Sequence, residues 1–131
     1  MRIICDTHAM LFWADAPHRL GASASLAIEQ GLQTNCLSCS DISLWEIAML
    51  FSKGRLRQDI DARIFLADLI AAMNLEILPI TPAIAVLAQS AIFVHKDPAD
   101  RLIAATAIHY RAPLITKDDH LHHIQALQTI W

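Results

Sequence analysis

The sequence predicts an α/β protein in which helices cover both faces of a central, mostly parallel sheet. Two observations carry this expectation. Short apolar runs alternate along the chain with longer segments whose apolar residues recur at helical spacing. A hydrophobic fraction of 55% over 131 residues supplies one substantial core, which argues against disorder and leaves little room for a second domain. Residues 1–131 are therefore read as a single domain.

The elements follow in order. Residues 2–5 read as a short buried strand ending at Asp6. Residues 8–14 form a short helix stopped near Pro17, and residues 23–30 a second helix ended by Gly31. Residues 36–40 are the second strand. Asp41 caps a strongly apolar helix over residues 42–51, which ends near Gly54. Residues 60–73 place Phe65, Leu66, Leu69 and Ile70 at helical spacing. A strand at 75–80 leads to Thr81-Pro82, a cap followed by proline at the first helical position. Residues 98–110 are a further helix, and 114–116 and 126–130 the last strands.

Several function classes are disfavoured at this level. No apolar run approaches the roughly 20 residues of a membrane span, and the opening Met-Arg-Ile-Ile-Cys-Asp meets a charge too early for a signal peptide. The expected location is the cytoplasm. The three cysteines, Cys5, Cys36 and Cys39, are odd in number and suit no disulfide framework. Cys36 and Cys39 form a C-x-x-C, but there is no second pair to complete a zinc site. His120, His122 and His123 likewise lack a matching partner spacing. A net charge of −3 counts against a general nucleic-acid coat protein. It counts less against a metallonuclease, whose cations offset clustered carboxylates. The basic residues are grouped, Lys53 with Arg55 and Arg57, and Lys96 with Arg101.

In open parallel sheets, ligands bind beyond the carboxyl ends of the strands, where strand order reverses. Asp6 follows Arg-Ile-Ile-Cys at one such end, and Asp118 follows Leu-Ile-Thr-Lys at another. Glu46 has Ile42, Ser43, Met49 and Leu50 one turn away, so it lies on or beside an apolar helix face. Asp100 opens a helix and has Ile103 and Ala104 as next-turn neighbours. A carboxylate near a core needs a cation, a proton or donors. Taken singly, Asp100 suits a helix cap, Asp118 a cap of the segment that follows, and Glu46 an arginine pair. Taken together on one sheet edge, they favour a divalent metal with oxygen ligands.

Four strings in order resemble the PIN-domain family. They are Asp6-Thr7-His8-Ala9-Met10-Leu11-Phe12-Trp13, Ser43-Leu44-Trp45-Glu46-Ile47-Ala48, the segment from His95 to Ala107 with its Asp97-Pro98-Ala99-Asp100-Arg101, and Leu114-Ile115-Thr116-Lys117-Asp118. Order, spacing and total length match, so the resemblance covers essentially the whole chain. Within the family the chain is most similar to VapC-type toxins of bacterial toxin–antitoxin pairs. The resemblance implies a three-layer α/β/α PIN-like fold and a Mg²⁺- or Mn²⁺-dependent endoribonuclease. It carries over Asp6, Glu46, Asp100 and Asp118 as the catalytic and metal-holding quartet. Thr7 and Thr116 enter as supporting residues and Asp97 as a fifth acid. Asp118 is preferred to its neighbour Asp119 because it follows the Thr-x pattern. Ala99 departs from the subgroup's usual Phe, a change expected to alter packing rather than chemistry.

Phosphodiester hydrolysis needs a nucleophile, a cation to absorb developing charge and stabilisation of the leaving oxygen. Hard cations can serve all three, so no side-chain nucleophile is required. His8, two residues after Asp6, is placed to contact substrate, but a structural role is the expectation. Haloacid-dehalogenase-like phosphatases need a second Asp two residues after the first, where this chain has His8. Response-regulator receivers need an acidic pair after the first strand and an Asp after the third, and neither is present. The remaining alternative is a PIN-like RNA-binding or scaffolding module without cleavage. The expected partners are RNA, a cognate antitoxin and a second copy of the chain. The homodimer is expected from apolar surplus on two helices, Leu44, Met49, Leu50 and Phe51 on one and Ile64, Phe65, Leu69 and Ile70 on the other.

Overall fold

A computed structural model of the protein describes residues 1–94 and 97–131. His95 and Lys96, which belong to the third acidic string and were grouped with Arg101, lie outside the described residues. The elements run β1 (Ile3–Cys5), α1 (Thr7–Asp15), a tight turn at Pro17–Arg19, α2 (Ala22–Thr34), β2 (Leu37–Ser40), α3 (Asp41–Ser52), α4 (Ala62–Met73), β3 (Glu76–Leu78), α5 (Pro82–Ala88), α6 (Pro98–Tyr110), β4 (Leu114–Ile115) and β5 (Thr129–Ile130). The five strands form one sheet in the order β3-β2-β1-β4-β5, and every neighbouring pair is parallel.

Strand alternation decides the layers. Ile3, Cys5, Leu37, Cys39 and Ile115 join one core with Met10, Ile28, Ile47, Phe65 and Leu69, contributed by α1 to α4. Ile4, Leu78 and Leu114 join the other core with Ile84, Ala88, Ile103 and Ala104, contributed by α5 and α6. The sheet is thus covered on both faces, as the alternating pattern predicts. From β1 the chain builds outward through β2 and β3, then returns across the sheet to add β4 on the opposite side of β1. The reversal of strand order therefore lies at β1, and Asp6 is the first residue beyond its carboxyl end.

Element existence follows the sequence, but several ends differ for identifiable reasons. α3 is capped by Ser40, whose hydroxyl accepts from the Ile42 amide at 3.3 Å, and not by Asp41. Asp41 is instead the first helical residue, where its carboxylate favours the helix dipole and accepts from the Ile80 amide at 3.3 Å. Gly31 does not end α2. The helix continues to Thr34 and closes on Asn35 in the left-handed conformation, φ 54°. Gly31 serves close packing, because a Cβ there would lie 2.3 Å from Leu37 Cδ2. α4 starts at Ala62, with Asp61 as its cap, rather than at residue 60.

The apolar surplus expected on α3 and α4 is mostly internal. Phe65 and Leu69 are buried, Leu44, Met49, Leu50, Phe51 and Ile70 are half-buried, and Ile64 is exposed. The reason is that the two helices pack on each other, with the rings of Phe51 and Phe65 5.2 Å apart. Large exposed apolar side chains are spread singly over several elements, among them Leu26 on α2, Trp45 on α3 and Val86 on α5. Among the described residues, no helix is long and apolar enough to cross a membrane.

Candidate active site

β1 delivers Asp6 to the switch point and α1 fixes its side chain. Asp6 is the N-cap of α1, and its Oδ1 accepts from the Thr7 amide at 2.7 Å. Its Oδ2 accepts from the Thr116 hydroxyl at 2.7 Å, just past the end of β4. Thr116 Oγ1 in turn accepts from the Asp118 amide at 3.1 Å. One buried hydroxyl thus ties together the carboxyl ends of the two strands that flank the switch point. Asp118 Oδ1 accepts from the His120 amide at 2.9 Å, which closes the turn after β4.

α3 supplies Glu46. Its Oε1 accepts from the Thr7 hydroxyl at 2.6 Å, and Thr7 Oγ1 also lies 2.9 Å from Ser43 Oγ. A hydroxyl carries one hydrogen. The shorter contact to the carboxylate takes it, which leaves Ser43 to donate to Thr7. Ser43 and Glu46 are one turn apart, so both meet Thr7 from the same helix face. α6 supplies the remaining acids. Asp97 is its N-cap and accepts from the Ala99 amide at 2.9 Å, while Asp100 stands in its first turn. Carboxylate oxygens of Glu46, Asp97 and Asp100 all lie within 4.8 Å of one another.

These residues open onto one cleft of about 320 Å³, lined by Asp6, His8, Phe12, Glu46, Asp97, Asp100, Lys117 and Asp118. Asp6 and Glu46 are 7% and 8% exposed, so both are nearly desolvated carboxylates. Burial raises the pKa of Asp6, against the lowering effect of its bonds from Thr116 and Thr7. Burial likewise raises Glu46, opposed by its bond from Thr7 and aided by the charge of Asp6. Asp100 is pushed up to about 8, by burial first and then by Asp6, Asp97, Glu46 and Asp118. The donor set is entirely carboxylate oxygen, the chemistry that hard divalent cations select, so the residues present fit such an ion.

The fold brings all four acids of the quartet to this cleft, together with Asp97, which joins Glu46 and Asp100 directly. Asp118 lines it, whereas Asp119 is exposed and does not. Thr7 and Thr116 are fully buried and hold acids in place. Ser43 was missed by sequence reasoning, although a buried hydroxyl one turn before an acid on an apolar helix was a usable signal. His8, expected to be structural, is exposed at the cleft wall. The remaining candidates do not assemble. Among the described residues no histidine or cysteine belongs to a metal-sized cluster, and His122 Nδ1 is 2.7 Å from Thr129 Oγ1. All three cysteines are free, and burial pushes the Cys39 thiol up to about 12, which keeps it protonated.

The chain has clear relatives. The family model described as PIN domain matches residues 3–127. The chain is 35% identical over 132 residues to Ribonuclease VapC22 of Mycobacterium tuberculosis, covering 98% of each sequence. Among solved structures it resembles VapBC2 from Rickettsia felis bound to a DNA fragment from their promoter, with a TM-score of 0.71, 19% identity and coverage of 98% of this chain and 97% of that one. It also resembles a toxin–antitoxin complex from Klebsiella pneumoniae, with a TM-score of 0.62, 20% identity and coverage of 95% and 94%. A third is FitAB bound to an IR36 DNA fragment, with a TM-score of 0.59, 21% identity and coverage of 97% and 92%. At these identities the structural likeness establishes a shared fold.

Proposed function

The chain belongs to the PIN-domain family, and on that premise we propose that it is a metal-dependent endoribonuclease hydrolysing RNA phosphodiester bonds, the toxin of a toxin–antitoxin pair. Residues 1–131 act as a single PIN domain in the cytoplasm. The observation that carries the reading is the convergence of Asp6, Glu46, Asp97, Asp100 and Asp118 on one cleft at the sheet's switch point. The ribonuclease name of the 35% identical relative supports the choice of RNA, and the toxin–antitoxin complexes among its structural relatives support an antitoxin partner.

Asp6, Glu46, Asp100 and Asp118, joined by Asp97, would hold Mg²⁺ or Mn²⁺. When bound, such an ion neutralises charge on the phosphoryl oxygens and favours deprotonation of an attacking water. The chain's own groups do the positioning. Thr116 holds Asp6 from below and sets the turn that presents Asp118. Thr7, steadied by Ser43, holds Glu46. Lys117 stands at the cleft wall, placed to meet a phosphate as the only lining Lys or Arg among the described residues. Lys117 cancels only part of the cleft's carboxylate charge, so a bound ion strengthens RNA binding there.

A second copy of the chain is the proposed partner for a largely apolar recess of about 690 Å³ between α3 and α6, which adjoins the cleft through Glu46 and Asp97 and is otherwise lined by Ile42, Trp45, Met49, Pro98, Ala99 and Leu102. Ala99 is 7% exposed there, and its small side chain leaves open space that a Phe would fill. The test of the function is cleavage of single-stranded RNA by the purified protein with Mg²⁺ and with EDTA. Cleavage confined to the Mg²⁺ reaction and lost in Asp100→Asn supports the proposal. RNA binding without cleavage under any metal would make the chain a binding module instead.

A further inference from the structure

The acidic cleft explains where a phosphodiester would be cut but not what holds the rest of a polyanion beside five carboxylates. A second depression, about 650 Å³, shares its wall with the cleft through His8 and Phe12. Its floor includes Leu11, Phe12, Leu50 and Leu56, and three guanidinium groups stand on its rim, Arg19, Arg55 and Arg57. The three differ in availability. Arg57 is committed to carboxylates, with Asp59 at 2.7 Å and Asp15 at 3.3 Å. The exposed Arg55 side chain makes no ion pair or hydrogen bond among the described residues. Arg19 lies over the Phe12 ring, 4.3 Å from its centroid, and has no carboxylate partner among the described residues.

Along α1 these groups form a strip. His8 and Phe12 are one turn apart with ring centroids 6.0 Å apart, and Arg19 stacks on Phe12 from the turn beyond α1. Phe12 is 8% exposed and packs against Trp131, so it seats Arg19. The exposed His8 ring and the two available guanidinium groups match single-stranded nucleic acid, which binds through base stacking and phosphate contacts. The volume is within the range that holds a ligand of nucleotide size.

Resting on the ribonuclease reading above, we propose that this groove is the subsite for the RNA segment on one side of the scissile phosphate. Arg19 and Arg55 contact its phosphates, and the exposed His8 ring faces a base. The opposite flank of the cleft, towards Trp45, has no comparable cation among the described residues that line it, so the flanking segment is held on the Arg19–Arg55 side.

The test uses the full chain and a short single-stranded RNA. Binding is followed in EDTA, where cleavage is silent, and steady-state cleavage in Mg²⁺. Arg19→Ala and Arg55→Ala should each weaken binding about five- to tenfold and reduce the slope of log affinity against log salt by about 0.7, the value for one phosphate contact on a single strand. In Mg²⁺ each should raise KM by a similar factor with kcat changed less than about twofold. Arg55→Lys should recover most of the affinity, since the charge remains. Lys53→Ala, which removes a nearby exposed charge outside the groove, should leave KM unaltered. Wild-type affinity and salt slope in both alanine variants would overturn the groove while metal-dependent cleavage by the wild type left the nuclease reading standing. Loss of antitoxin binding with RNA binding intact would also overturn it, making the groove a protein interface. A wild type that neither binds nor cleaves RNA would defeat both.

Discussion

Replacing Asp100 by Asn separates a carboxylate kept for a cation from one kept for the fold. Asp100 is half-buried in the first turn of α6, and its oxygens approach those of Glu46 and Asp97 within 4.8 Å. Burial and these neighbours push its pKa from 3.8 to about 8. A carboxyl whose pKa is higher folded than unfolded holds its proton more tightly in the native state. Metal-free stability should therefore fall as pH rises from about 4 to about 8. A tenfold difference in proton affinity between the folded and unfolded chain corresponds to about 1.4 kcal/mol. Solvent screening of a partly exposed group reduces the total here to on the order of 1–2 kcal/mol. Asn keeps the shape and carries no charge. In EDTA at pH 8, Asp100→Asn should melt about 3–8 °C above wild type, given the slope expected for a domain of this size. At pH 4 the two should coincide. Added Mg²⁺ should reverse the order at pH 8, because only the wild type keeps the full ligand set and gains native-state binding. Thermal melts at both pH values, with EDTA and with Mg²⁺, make the comparison. An Asp100→Asn protein that melts at or below wild type in EDTA at pH 8 would refute the reasoning, since Asp100 would then be a structural residue.

Asp6→Asn should not share that gain. Asp6 Oδ2 takes the Thr116 hydrogen, and an amide nitrogen there has no lone pair to accept it, so the lost bond offsets the relieved charge. Its metal-free melt should stay within a few degrees of wild type while cleavage disappears. Thr116→Val strands Asp6 Oδ2 and the Asp118 amide, and should cost about 1–3 kcal/mol by denaturant unfolding together with a fall in kcat. Thr116→Ser should recover most of both, which a purely steric role would not predict. Gly31→Ala should cost about 1–3 kcal/mol through the collision with Leu37. The position is remote from the cleft, so kcat of the folded fraction should be unchanged. Light scattering at micromolar concentration should report a dimer, converted to monomer by Trp45→Glu. A wild-type mass of one 14.5 kDa chain would count against the α3–α6 recess as an interface.

Much of the architecture was legible because its causes are local. Short buried strands, helical periodicity and the Thr81-Pro82 start are written in neighbouring residues, and the strand-end rule then singled out Asp6 and Asp118. Glu46 stood out as a carboxylate on an apolar helix. What escaped depends on neighbours distant in sequence. Ser40 and Asp41 are both good caps, and the Ile80 amide that engages Asp41 comes from the far side of α4. Gly31 reads as a helix terminator unless Leu37 is known to press against it. The apolar residues of α3 and α4 look surplus until the helices are packed face to face. Ser43 acquires meaning only through Thr7, which lies 36 residues earlier. The resemblance ranked Asp97 as supporting, yet its oxygens stand in the same cluster as those of Glu46 and Asp100.

The central claim is that these carboxylates hold a divalent cation for RNA hydrolysis. Crystals of the protein equilibrated with Mn²⁺, measured at the manganese absorption edge, test it most directly. The account predicts an anomalous peak in the cleft at about 2.0–2.4 Å from oxygens of two or more of Asp6, Glu46, Asp97, Asp100 and Asp118, a peak that vanishes in a crystal of the Asp100→Asn variant in parallel with RNA cleavage. No peak at the cleft under saturating Mn²⁺, with RNA cleaved equally well in EDTA, would contradict it.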